Sequence, residues 1–184
     1  MNKLFLYILT FAVAVLSAGC DNYDNFYDDQ YASVVRLSIF GENVFSIPAS
    51  EPETVIDFDV LRSGYDIDRD ATAVVRVMTD EEWQKYAATY GVQRYYKVPA
   101  DSFKLGENGE VKMSFAPNDF MSEVALTVYS EKLGDYSATL PPPINEGAEW
   151  ANVIVLPLKL EALSGSVYSD QSNLIIRLEY DENQ

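Results

Sequence analysis

The sequence has 184 residues, 48% of them hydrophobic, with no histidine, one cysteine and 29 acidic residues against 13 basic ones, a formal net charge of −16. The lack of histidine excludes Ser-His-Asp, Cys-His and His-metal constellations, the single cysteine excludes an intrachain disulfide, and the charge argues against nucleic acid or anionic lipid surfaces as partners. The length suits one domain whose stability comes from packing.

In chain order, residues 1–19 read as a targeting segment: Lys3 supplies a positive start and Leu4 to Leu16 an apolar stretch. That stretch is shorter than the roughly 20 residues of a membrane-spanning helix. Leu16-Ser17-Ala18-Gly19-Cys20 resembles a bacterial lipobox, in which the cysteine is lipidated and becomes the new N-terminus, although Leu16 sits one position further back than the pattern asks. The expectation is a lipoprotein held to the membrane through Cys20. The alternative, an ordinary signal peptide, leaves Cys20 as a reactive thiol with no partner. Residues 20–32 are acidic and aperiodic and read as a flexible tether.

Strand signals then recur at short intervals, as in a sandwich. They are Ser33 to Phe40, a short continuation at Val44 to Ile47, Thr54 to Arg62, Ala71 to Met78, Ser102 to Leu105 with Glu110 to Phe115 as its hairpin partner, Glu123 to Tyr129, Val153 to Leu163 and Ser172 to Tyr180. Pro157 inside one of them points to an edge or a bulge. One helix interrupts the series. Thr79 and Glu82 make a capping box, Asp80, Glu81 and Glu82 favour the positive end of the dipole, and Gly91 supplies a left-handed stop, which predicts a helix from about Asp80 to Tyr90. Trp83, Tyr86, Ala87 and Tyr90 form one stripe, expected to be core over a sheet. Ser130 to Ala151, with three prolines, reads as a long aperiodic loop.

A strand ending in VRVMTDEEWQKYAATYG, then YYKVPADSFKL, then VIVLPLKLEALSG resembles the immunoglobulin-like domain of unknown function in surface lipoproteins of glycan-foraging gut bacteria. The landmarks are the helix stripe, Val98-Pro99 before Phe103-Lys104-Leu105, and Leu156-Pro157-Leu158. The resemblance covers about Ser33 to Tyr180. It implies a mainly β fold, an immunoglobulin-like antiparallel sandwich of about seven to nine strands with one short helix packed over the sheet, as a single domain over 33–180 with a tail at 181–184. It also implies a module that commonly precedes a glycoside hydrolase or lectin-like unit. Here no such unit follows in the sequence, and the 130–151 connection is longer than usual. In such lipoproteins an acidic run after the cysteine resembles a signal for surface display at the outer membrane, whereas in other bacterial groups Asp21 resembles an inner-membrane retention signal.

Without histidine, catalysis would rest on carboxylates, and no pair stands out; a non-enzyme without cofactor is expected. Asp66, Asp68 and Asp70 form a D-x-D-x-D run, but Ala71 and Val77 stand where a calcium loop needs glycine and glutamate, so the run is a weak metal candidate against a solvated turn. Aromatics are the better lead, since Tyr and Trp stack on sugar rings. Trp150 and Tyr136, in the 130–151 loop, and Tyr95 and Tyr96, one of which should be exposed in an extended segment, are the candidate ligand contacts. The functions that follow are an accessory glycan- or protein-binding surface lipoprotein linked to polysaccharide use or, alternatively, an adhesin- or fimbria-like assembly component pairing through a strand edge.

Overall fold

The computed structural model describes residues 33–64, 67–92, 94–141 and 152–182. Two sheets face each other over one core. The first has the order β10 (Ser166–Val167), β1 (Val34–Leu37), β3 (Glu53–Ser63), β8 (Met121–Tyr129), β6 (Phe103–Leu105). The second has the order β2 (Gly41–Pro48), β11 (Asn173–Asp181), β9 (Val153–Ala162), β4 (Ala71–Val77), β7 (Glu110–Phe115), and β5 (Tyr95–Lys97) also pairs with β9. The expected sandwich is therefore present, with eleven strands among the described residues. The surplus over the expected number consists of β5, β6 and β10, of two or three residues each. Antiparallel ladders dominate, and three parallel pairings join them: β1 with β10, β2 with β11 and β5 with β9.

Period-two alternation puts Ile56, Phe58 and Val60 of β3 and Val124, Leu126 and Val128 of β8 into the core, where they meet Leu156, Leu158 and Leu160 of β9 and Leu174, Ile176 and Leu178 of β11. In β9 the run from Ile154 to Leu158 is buried throughout. Its odd residues also lack solvent because a helix covers the outer face of the second sheet, so the strand reads as continuous apolar rather than alternating.

The helix is α1 (Asp80–Tyr90), with the expected bounds and caps. The Thr79 hydroxyl accepts from the Glu82 amide at 3.2 Å, the Glu82 carboxylate accepts from the Thr79 amide at 3.0 Å, and Gly91 has φ +64°. Trp83 packs with Met78, Val155 and Ile175 in a second apolar cluster on the outer face.

Several expectations need correction. First, Ser33 to Phe40 is not one strand: the chain leaves β1 at Leu37 and begins β2 at Gly41, whose φ of +70° lets it cross from one sheet to the other. Second, the Asn108-Gly109 turn exists, with φ of 57° and 79°, and an isolated bridge of Glu107 with Glu110 closes it, but β6 and β7 do not pair across it: β6 pairs with β8, and β7 with β4 in the opposite sheet. Third, Pro157 is neither at an edge nor in a bulge. It lies inside β9 where the neighbouring strand changes from β5 to β4. Fourth, the first part of the 130–151 region is a helix, α2 (Ser130–Thr139), with Leu133 buried and Tyr136 and Leu140 packed against the core. Asp181, expected in the tail, is the last residue of β11, and its carbonyl accepts from the Ala49 amide.

Candidate functional site

The outer face of the second sheet, under and around α1, brings together more chemistry than any other part of the described chain. Beneath the first turn of α1 lies a network of four charged side chains. Arg76 on β4 donates through Nη1 and Nη2 to Glu82 at 2.7 and 2.8 Å, through Nε and Nη2 to Glu161 of β9, and through Nη1 to the Val77 carbonyl at 3.2 Å. All five of its N–H groups are thereby engaged. Lys159 donates to Glu82 at 2.6 Å and pairs with Glu161 at 3.3 Å. The Arg76 hydrogen bonds hold the carboxyls of Glu82 and Glu161 below the usual glutamate range, and the Glu82 carboxylate raises Lys159. One glutamate thus serves two roles, capping the helix and neutralising two cations.

Along α1 and across β5 runs a contiguous row of rings. Tyr90 contacts Tyr86 at 4.4 Å between centroids, Tyr86 stacks on Trp83 at 5.7 Å, and Trp83 stacks on Tyr95 at 6.4 Å. The Tyr95 hydroxyl donates to the Glu42 carboxylate at 2.9 Å, and Arg177 donates to the same oxygen. Burial and that carboxylate push the Tyr95 hydroxyl above its ordinary pKa; burial raises Tyr86 as well. The stripe expected to be core throughout is so only at its start: Trp83 is 9% exposed, Tyr86 and Ala87 are half-buried, and Tyr90 is 66% exposed. The reason is geometric. Tyr86 and Ala87 still pack against the outer apolar cluster, whereas Tyr90 does not join it and leans its ring on Tyr86.

Between the last turn of α1 and the 3-10 turn at Ser169–Gln171 is a hollow of about 610 Å³, lined by Lys85, Tyr86, Thr89 and Tyr90 on one side and Lys159, Ser169, Ser172 and Asn173 on the other. It combines an exposed aromatic face with hydroxyl, amide and ammonium groups, and the carboxylates of Glu81 and Glu82 also line it.

The residues singled out from sequence fall in several places. Tyr95 belongs to the aromatic row. Tyr96 is half-buried like Tyr95, so neither side chain of the pair is fully exposed as expected. Tyr136, expected in a loop, lies on α2; its ring packs against the core and its hydroxyl donates to the Lys97 carbonyl at 3.1 Å, which is a packing arrangement. Asp68 and Asp70 are exposed, and among the described residues no group of three acidic or thiol side chains has a metal-holding arrangement. Cys20, Asp66 and Trp150 lie outside the described residues. Sequence reasoning missed Glu42 and Arg177, which meet only through the pairing of β2 with β11, and Asn173 of β11, which lines the hollow; Tyr90 was noticed and assigned to the core.

No protein-family model and no curated protein sequence matches this chain. Among solved structures, a candidate carbohydrate-binding protein from Bacteroides ovatus superposes with a TM-score of 0.57 at 16% identity, over 79% of this chain and 36% of that one. The present chain thus spans little more than a third of that protein, and the likeness shows the fold. The major subunit AggA of aggregative adherence fimbriae type I from Escherichia coli aligns over 80% of this chain and 95% of its own at 10% identity, with a TM-score of 0.36, too low to bear on either fold or assembly.

Proposed function

We propose that this chain is a non-catalytic glycan-binding module of a surface lipoprotein, with the hollow beside Tyr86 and Tyr90 as its ligand site. The observation that carries the reading is Tyr90 itself: a large ring, 66% exposed, with one face against Tyr86 and the rest turned outward beside serine, asparagine and lysine groups. A pyranose presents an apolar C–H face and a polar rim, and an aromatic face bordered by hydrogen-bonding groups matches both. The fold likeness to a candidate carbohydrate-binding protein supports testing sugars first.

Absence of catalysis is supported by the electrostatics. A carboxylate-based hydrolase needs one acid raised so that it can donate a proton. Every carboxyl with a resolved shift among the described residues, namely Asp80, Glu82 and Glu161, moves downward under the pull of a lysine or arginine.

Titration calorimetry against a panel of neutral oligosaccharides tests the reading. Wild-type protein should bind at least one member, and Tyr90→Ala should weaken that binding about tenfold or more, the scale of losing one stacked ring. Failure of the wild type to bind any sugar sinks the class; binding unaffected by Tyr90→Ala and Tyr86→Ala sinks the site. Surface display through a lipid on Cys20 is checked by labelling cells with a fatty-acid probe and comparing Cys20→Ala. The competing reading, assembly through a strand edge, rests on β2, whose outer flank has no strand partner among the described residues. Concentration-dependent oligomers in light scattering would favour it.

A further inference from the structure

A second hollow of about 610 Å³ lies on the opposite side of α1, at its N-terminal end, between the first turn, the segment after β5 and the Asn108-Gly109 turn. Its apolar floor is Val77, Val98 and Phe103, and its polar rim is Asp80, Asn108 and Glu110. We propose that this hollow is a second sugar subsite, selective for neutral glycans over acidic ones; the proposal rests on the glycan-binding reading and goes beyond it in site and in ligand class.

The donor and acceptor inventory decides the ligand's charge. Two cations border the hollow, and both are already engaged. Arg76 has its five N–H groups committed to Glu82, Glu161 and the Val77 carbonyl. Lys97 donates to the Met78 carbonyl and to Asp80 Oδ1, each at 2.8 Å. What remains open on the rim is mostly acceptor. Asp80 is 85% exposed, its second carboxylate oxygen makes no hydrogen bond among the described residues, and Glu110 is held there only by an exposed contact to Lys112 at 3.0 Å. Exposed pairs of that kind are weak and exchange readily with a competing donor. The Asn108 amide makes no side-chain hydrogen bond among the described residues and adds one acceptor and two donors.

A ligand complementary to this rim is rich in hydroxyl donors, carries no negative charge and has one apolar face for Phe103. A neutral pyranose with adjacent hydroxyls has all three properties. A uronic acid would set its carboxylate against Asp80 and Glu110 on a chain of net charge −16, with no unsaturated guanidinium to receive it.

The two hollows can be told apart by amide chemical shifts of the labelled full chain, titrated with neutral hexasaccharides of glucose, mannose and xylose and with hexagalacturonate. The expected result is that a neutral hexasaccharide moves the amides of Ala100, Asn108 and Gly109, that Asn108→Gly, which keeps the positive φ of the turn, weakens this response roughly tenfold, and that Tyr90→Ala leaves it in place. Glu110→Gln provides a second rim variant that leaves the turn intact. Shifts confined to Tyr86, Tyr90 and Asn173 would overturn the second subsite while leaving the first. A stronger response to hexagalacturonate than to the neutral sugars would overturn the selectivity, and no response anywhere would remove both sites.

Discussion

The Lys97 ammonium donates to the backbone carbonyl of Met78 at 2.8 Å, taking the place of a ladder hydrogen bond that the sequence cannot make. Register pairs Arg76 with Lys159 and Val77 with Leu158, which brings Met78 opposite Pro157. The Met78 amide donates to the Pro157 carbonyl at 2.9 Å, but proline has no N–H to return. A side chain from the adjoining strand satisfies the acceptor left over. Lys97→Met should therefore destabilise the domain by about 1–2 kcal/mol, the scale of an unsatisfied, partly buried carbonyl. Pro157→Val restores the missing donor, so the double variant should recover part of that loss. Denaturant titrations of the two single variants and the double one check this, and strictly additive losses would count against it.

Glu82→Gln separates the two roles of that residue. Glutamine at this position still completes a capping box, so the helix start survives while the charge beneath it goes. Glu82 and Glu161 lie below the usual glutamate range in the folded state because of Arg76. Their contribution is thus fully present above the unfolded value of about 4.3 and is lost as pH falls through the lower folded values. Lys159 is raised, so its contribution is present below the ordinary lysine value and is lost as pH climbs through the raised one. Since these groups are partly exposed, Glu82→Gln should cost about 1–2 kcal/mol at neutral pH. It should also flatten the acid limb of a stability-versus-pH curve, a shape that loss of a cap alone would not produce.

Trp83 and Tyr90 sit on one helical stripe and should behave oppositely. Trp83→Ala opens a cavity against Met78, Val155 and Ile175 and should cost about 3–5 kcal/mol. Tyr90→Ala removes a side chain that is mostly in water and should change stability by about 0.5 kcal/mol or less. Thermal unfolding of the pair is sufficient; equal losses would mean that the stripe is core along its whole length.

Gly134 in α2 faces the ring of Tyr180 so closely that a Cβ there would lie 2.7 Å from Cζ and 2.8 Å from the hydroxyl oxygen. In an open helix, replacing glycine by alanine gains up to about 1 kcal/mol. Here the methyl group must displace the ring, so Gly134→Ala should fail to stabilise and should lose roughly 1 kcal/mol net. In a Tyr180→Leu background the same change should become stabilising. A sign that does not reverse between the two backgrounds would show that the ring yields without cost.

What the sequence made legible was local. Thr79, Glu82 and Gly91 mark both ends of α1 because caps act within one turn, and alternation in residues 54–62 and 123–129 exposes β3 and β8 because one side of each is wet. The failures share a cause. Leu133, Tyr136 and Leu140 do have helical spacing, but α2 lacks a side-chain N-cap hydrogen bond, contains Gly134 and depends on packing against the core for its stability. Pro157 was assigned by a rule for unbroken ladders, and nothing near it in sequence shows that its neighbouring strand ends there. Tyr90 followed the periodicity of Trp83, and periodicity does not say how far along a helix the apolar cluster beneath it extends. Glu42 and Arg177 form an ion pair at 2.9 Å across 135 residues of sequence, a relationship carried only by the pairing of β2 with β11.

That pairing has a kinetic consequence. β11 lies between β2 and β9, so one of the first strands of the domain has its in-sheet neighbour supplied by the last. While the chain emerges from N- to C-terminus, β2 can find no correct partner until Asn173–Asp181 arrives, and closing so long a loop comes before any reward from the contact. The domain should therefore fold late, as a unit, and slowly for its size. During that interval the flanks of β2 and β9 that β11 will cover are open to strands of other chains, which makes the unfinished domain the form most exposed to misassembly.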